Sequence, residues 1–195
     1  MHFFRNVNNA LPFEGNKTEV YTDGLSMLQS LMKAISKAKH HIHLEFYIFE
    51  DDPVGRLLRD LLIDKAREGV EIRLLYDDVV CWKVPHLFYD EMRGAGIEAR
   101  GFLKVRFPVF TSKVNYRNHR KIVVIDGKVA FTGGMNIALR YMKGFQWGIW
   151  RDTHIKIEGK AVYGLQTAFL TDWYVVDRTP VSYTHLRAHE TELHL

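Results

Sequence analysis

A chain of 195 residues is long enough for one domain with a sizeable buried core, and 47% hydrophobic with 26% charged residues excludes a disordered or collagen-like polymer. The single cysteine, Cys81, excludes an internal disulfide and favours a reducing compartment, and its surroundings, DDVVCWKVP, hold nothing that would activate a thiol. No apolar run reaches the ~18–20 residues that span a bilayer, and the first residues lack a signal-peptide core, while a net charge of +4 and a pI of about 9.1 suit an anionic partner such as phosphate, nucleic acid or acidic lipid.

Along the chain, residues 22–39 place Leu25, Leu28, Leu31, Met32, Ile35 and Ala38 at helical spacing, with Thr22 or Asp23 as the cap. HIHLEFYIF then alternates Ile42, Leu44, Phe46 and Ile48 against His41, His43, Glu45 and Tyr47, the period of a strand with one polar face. Asp52 and Pro53 open a second helix that carries Val54, Leu57, Leu58, Leu61, Leu62 and Ala66 on one side and stops at Gly69. The strand VEIRLLYDD follows at once, so strand, helix and strand make a parallel unit. A third helix over 85–93, ended by Gly94 and Gly96, leads to a short strand at 97–100. The fold class is α/β. No repeat or low-complexity run interrupts residues 1–181, which are expected to form a single half-domain, whereas residues 182–195 hold three of the ten histidines, lack periodicity and read as a non-native tail.

The chemistry concentrates in NHRKIVVIDGKVAFTGGMN, residues 118–136. Two β-branched runs, 122–125 and 129–132, flank Asp126 and Gly127, the pair preferred in a two-residue hairpin turn. On the first strand His119 and Lys121 are two apart and share a face; Gly133 and Gly134 let backbone approach a ligand, with the Asn136 amide just beyond. Each residue alone has an ordinary structural explanation, but the joint pattern H-x-K-x(4)-D-x(6)-G-x-x-N arises by chance on the order of once in ten thousand chains of this size.

That pattern resembles the motif of the phospholipase D superfamily, H-x-K-x(4)-D followed by G-[GS]-x-N. His119, Lys121, Asp126, Gly133, Gly134 and Asn136 match it position by position. AKHHIHLEFYIFEDDPVGRLL, GVEIRLLYDD, YRNHRK and WRDTHIKIEG are further similar to the amino-terminal catalytic half of bacterial cardiolipin synthases, over roughly residues 11–178. The resemblance implies a mixed sheet flanked by helices on both faces. It implies a phosphatidyltransferase that joins two phosphatidylglycerols into cardiolipin and glycerol through a phosphohistidine. His119 would be the nucleophile or the general acid, Lys121 and Asn136 would bind phosphate oxygens, and Asp126 would orient a histidine or balance charge. Gly134 and Glu45 complete the expected phosphate end, Glu45 in a supporting role. Lysines take the electrostatic part that a metal plays elsewhere, so no cofactor is expected; His41, His43 and Glu45 share a strand face but lack a second ligand cluster. Phe145, Trp147 and Trp150 are either a lipid-facing rim or core.

The family joins two copies of the motif across a pseudo-twofold axis, and this chain holds one. Its expected partners are therefore phosphatidylglycerol, a membrane surface, and either a missing second half or a homodimer mate; nucleic acid is disfavoured. The intact protein would reside at the bacterial cell membrane. Two alternatives stay open: a dimeric single-motif nuclease, and an inactive half-domain that only binds phosphate or anionic lipid.

Overall fold

The computed structural model describes residues 12–102, 117–144, 148 and 150–178, so the expectations for Phe145, Trp147 and residues 182–195 lie outside the described residues. Seven strands form one mixed sheet: β1 (Lys17–Tyr21), β2 (His41–Phe46), β3 (Glu71–Asp77), β4 (Glu98–Phe102), β5 (Ile122–Ile125), β6 (Val129–Gly133) and β7 (His154–Glu158), in the order β1-β7-β6-β5-β2-β3-β4. β2, β3 and β4 run parallel, and the other neighbours are antiparallel. The helices are α1 (Gly24–Ile35), α2 (Pro53–Arg67), α3 (His86–Gly94), α4 (Leu139–Lys143) and α5 (Val162–Asp177). The α/β class and the helices on both faces agree with the sequence reading.

Local chemistry sets the helix ends. Of the two caps open for α1, Asp23 is used, accepting from the Ser26 amide at 2.8 Å. Asp52 accepts from the amides of Val54 and Gly55 at 2.9 Å, with Pro53 just inside the start of α2 where its missing N–H costs nothing. Gly69 and Gly96 leave α2 and α3 with φ of 92° and 91°. Two residues assigned to buried stripes, Leu25 and Leu57, are instead exposed, because each stands at the edge of its stripe.

β2 sits at the centre and is buried along its whole length. Its even residues, Ile42, Leu44 and Phe46, join the main core with Leu31 and Ile35 of α1, Leu58 and Leu62 of α2, and Phe88 and Met92 of α3. The odd face, which alternation alone leaves polar, lies under α5, where Phe169 and Trp173 pack on Leu75, Ile122, Val124 and Ala130. Burying that face requires partners for its polar groups, and these build the site described below.

Gly55 is a packing hinge between α2 and the strand that feeds it. A Cβ there would lie 1.8 Å from the Glu50 carbonyl oxygen, a backbone atom with no room to retreat. Gly55→Ala is therefore expected to cost more than ~3 kcal/mol in urea denaturation. Gly94→Ala, where a Cβ meets nothing within 4 Å, is expected to leave stability unchanged or raise it by up to ~1 kcal/mol. Equal losses in the two variants would contradict this account.

Candidate active site

The hairpin forms as expected, with Asp126 and Gly127 at φ of 52° and 64° and the Lys128 amide donating to Ile125 O at 3.0 Å. The strands pair Ile125 with Val129, so the connection is one residue longer than a two-residue turn. His119 and Lys121 were expected on its first strand, but β5 begins only at Ile122 and both residues lie on the extended approach to it. What brings them together is Tyr47, just past β2. The exposed His119 ring stacks on the Tyr47 ring at 3.7 Å and 27°, and the Lys121 Nζ sits 5.3 Å from the same ring while donating to His119 O at 2.6 Å. Lys121 is 8% exposed. Burial pulls its ammonium below the ordinary lysine value, opposed by Asp152.

The glycine pair is explained by close approach. At Gly133, with φ of 156°, a Cβ would come within 2.5 Å of His154 Cα across the β6–β7 ladder; at Gly134 it would lie 1.9 Å from Asp152 Oδ1. Removing both side chains lets residues 152–154 press beside Lys121. His154, which the sequence did not single out, is 1% exposed with Nδ1 unpartnered among the described residues. Burial lowers it to about 4, with Asp152 opposing and Lys121 reinforcing, so the ring is neutral.

Three expected site residues stand elsewhere. Asp126 does not reach His119: it lies at the far end of β5, roughly 16 Å from Lys121 at the rise of a strand. There its carboxylate accepts from the amides of Lys39, His40 and His41 at 2.8–2.9 Å. Burial tends to raise this carboxyl, but the three amides and the His41 charge outweigh it and hold it below the usual range. Asn136 is 2% exposed; its Oδ1 accepts from the Ile48 amide at 3.0 Å and its Nδ2 donates to Tyr141 Oη at 2.7 Å, pinning the end of β2 to the glycine loop. Glu45 is buried beneath the site. Its Oε1 accepts from Asn118 Nδ2, which also donates to Asp172 Oδ2 at 3.2 Å, and Asp172 accepts from Arg120. Burial, then the charge of Asp172, raises Glu45 to about 9 against the weaker pull of Asn118 and Arg120.

The rest of β2's polar face is also occupied from α5. Gln166 Nε2 donates to His43 Nδ1 at 2.6 Å, and Gln166 Oε1 meets His41 Nε2 at 3.1 Å. His41 and His43 thus turn to an amide, and among the described residues no three His, Cys, Asp or Glu side chains group as metal ligands. The signal for α5's part was present in the sequence: Gln166 and Asp172 share a helical stripe with Val162, Phe169 and Trp173, polar residues where only apolar ones are otherwise found. Cys81 is buried, and burial pushes its thiol up, in keeping with an inert residue. Trp150 is 39% exposed with its ring 5.3 Å from Tyr141.

His119 and Arg120 form a ridge between two open clefts. One, of about 430 Å³, is walled by Lys121, Gly133, Thr153, Leu165 and Ala168; the other, of about 560 Å³, by Phe102, Arg117, Asn118, Asp172 and Val175. Each has room for a phosphate headgroup, and cations line both. A larger depression of about 650 Å³ lies at the opposite end of the sheet beside Asp126 and Lys128, away from this chemistry. An exposed imidazole, a buried ammonium and flanking guanidiniums suit nucleophilic attack on a phosphodiester.

Residues 31–173 match the family model for the cardiolipin synthase, PLD-like domain. The chain belongs to that family. It is 46% identical over 173 residues to a cardiolipin synthase of Alkalihalophilus pseudofirmus, covering 88% of this chain and 34% of that protein. This member of the cardiolipin synthase family therefore spans about a third of the length of the curated relatives it matches. Among solved structures, the phosphatidylserine synthase of Haemophilus influenzae superposes with a TM-score of 0.66 at 20% identity, over 87% of this chain and 40% of that one. The phospholipase D family member Nuc of Salmonella typhimurium gives 0.60 at 17%, over 82% and 95%; both likenesses confirm the fold. Among the described residues no helix is long and apolar enough to cross a membrane.

Proposed function

We propose that this chain is a catalytic lobe of a cardiolipin synthase, in which the His119 imidazole attacks the phosphorus of phosphatidylglycerol. The P–N bond forms as the P–O bond to the headgroup glycerol breaks; glycerol leaves with a proton from an acid on a paired lobe. The glycerol hydroxyl of a second phosphatidylglycerol then attacks the phosphatidyl-histidine and returns its proton to that group on the paired lobe, and the P–N bond breaks to free the ring. One observation carries the reading: in a member of the cardiolipin synthase family, the motif histidine is open to solvent on Tyr47 while the motif lysine beneath it is buried. A buried ammonium interacts with phosphate oxygens in a low dielectric, where charge stabilisation is strongest. Asn136 and Gly134 act from behind the phosphate end, Asn136 by tying Ile48 to Tyr141 and Gly134 by admitting Asp152, and Asp126 supports the sheet at the far end of β5. The partner lobe is a second half of a longer chain or a second copy, and the lipid substrate sets a membrane surface as the place of work. From the texture of the sequence we assign residues 1–181 to the lobe and read 182–195 as a foreign tail.

The test is covalent trapping. The chain, alone and mixed with a separately expressed second lobe of a relative, is incubated with vesicles of ³²P-phosphatidylglycerol and denatured in alkali, where phosphohistidine survives. Label is expected on His119, absent in His119→Asn, with at least one glycerol released per label. Cleavage of DNA without lipid labelling would favour the nuclease alternative. Neither activity, with phosphate still raising the Tm, would favour the inert half-domain.

A further inference from the structure

Glu45 is a strand residue two positions from Tyr47, 2% exposed, whose Oε2 has no hydrogen-bond partner among the described residues. A buried carboxylate left that way would be costly, yet its other oxygen converges with Asp172 on a single amide, that of Asn118. Asn118 precedes His119. Arg120 follows it, and is held by the same Asp172. The Arg120 amide also donates to Asn118 Oδ1 at 3.0 Å, closing the turn around the histidine.

We infer that Glu45 is a positioning residue, which in its neutral acid form pairs with Asp172 to clamp both neighbours of His119 and so fixes the imidazole over Tyr47. The inference rests on His119 being the reacting group. Its physics is a charge balance. With Glu45 neutral, one carboxylate, Asp172, faces one guanidinium, Arg120, and the Asn118 amide bridges the two acids. Ionising Glu45 places a second negative charge against Asp172 at a buried position, where the Asn118 amide and the charge of Arg120 answer it only in part. Around it, His43, bonded to Gln166, and Tyr47 flank Glu45 on β2, Leu75 and Ile122 pair with it from β3 and β5, and Arg73 on β3 is engaged by Glu71, Glu98 and the Trp173 ring. Asp77, farther along β3, faces its own cation, Arg117, at 3.9 Å. Desolvation raises Glu45 to about 9, which places the release of the clamp above neutral pH.

The readout is amide hydrogen exchange of the full 195-residue chain between pH 7 and 10, corrected for intrinsic base catalysis, at residues 118–121. Protection in the wild type is expected to fall at least ~10-fold with a midpoint near 9; Glu45→Gln, neutral at every pH and the same shape, should keep it throughout. Glu45→Ala should be unprotected from pH 7. Identical pH profiles for wild type and Glu45→Gln would overturn the clamp, and that pair decides the matter even should the alanine variant fail to fold. Trapping on His119 reports separately. Label appearing with no pH-dependent protection removes the clamp alone, whereas the protection profile without label removes the reading of His119 and leaves the acid pair in place.

Discussion

Asp126→Ala is expected to lower folding stability by ~3–5 kcal/mol, whereas His119→Ala, in the same motif, is expected to change it by less than ~0.5 kcal/mol. The aspartate is a structural clasp. Three amides at the junction of α1 and β2 donate to its two oxygens at 2.8–2.9 Å. Charge-assisted bonds of this kind are worth ~1.5–3 kcal/mol each when buried, and partial exposure of the site discounts the sum. Alanine also pays ~1 kcal/mol to hold the positive φ of 52° found there. Asp126→Asn keeps one acceptor oxygen and tolerates that φ, so a loss of only ~1–2 kcal/mol is expected. Linkage gives an independent check. Because the folded carboxyl is held below its ordinary value, its contribution is complete above about 4 and lost as pH falls through the folded value. Equilibrium urea denaturation of the three variants at pH 7 and pH 3 measures all of this. A stability loss for His119→Ala matching that of Asp126→Ala would show that the motif acts as one packed unit, and the separation drawn here would fail.

The division between residues that hold the sheet and residues that border the clefts was only partly legible in the sequence. Helix starts at Asp23 and Asp52 and helix stops at Gly69 and Gly96 could be read because their causes are local: a side-chain acceptor for free amides, and a residue able to take positive φ. The motif paired His119 with Lys121, and the two do meet on the Tyr47 ring beside a cleft. It misplaced Asp126, because linear spacing says that four residues separate Lys121 from Asp126 but not that they form a strand and carry the two to its opposite ends. The polar face of β2 was visible as alternation, yet alternation cannot say what covers a face. That depended on α5, more than 110 residues away, whose Gln166 and Asp172 meet His43 and the Glu45–Asn118 pair. Tyr47 became a platform, and His154 a buried neighbour of Lys121, through contacts across strands and loops that no local pattern records.

Between 4.5 and 6.5 His154 and Glu45 act on stability in opposite directions, so the chain should be nearly level there and lose stability above 6.5, where Glu45 acts alone. The two signs follow from where each proton sits. His154 is lowered from 6.5 to about 4 in the folded protein, so the unfolded chain binds the extra proton between those values. Its contribution is complete above 6.5 and lost as pH falls toward 4, a loss of about 3 kcal/mol. Glu45 is raised from 4.5 to about 9. Here the folded protein holds the proton while the unfolded chain has released it, so stability is complete below 4.5 and drains away as pH climbs to 9, by at least ~3 kcal/mol after allowance for its coupling to Asp172. Urea denaturation at intervals from pH 4 to pH 10 separates the two with neutral replacements: in His154→Gln stability should fall with pH already from 4.5, and in Glu45→Gln it should rise with pH up to 6.5 and stay level above it. The gap between Glu45→Gln and wild type must widen steadily with pH. Parallel curves would mean that the Glu45 carboxyl ionises freely in the folded protein, and the buried acid beneath His119 would then have no special state to hold.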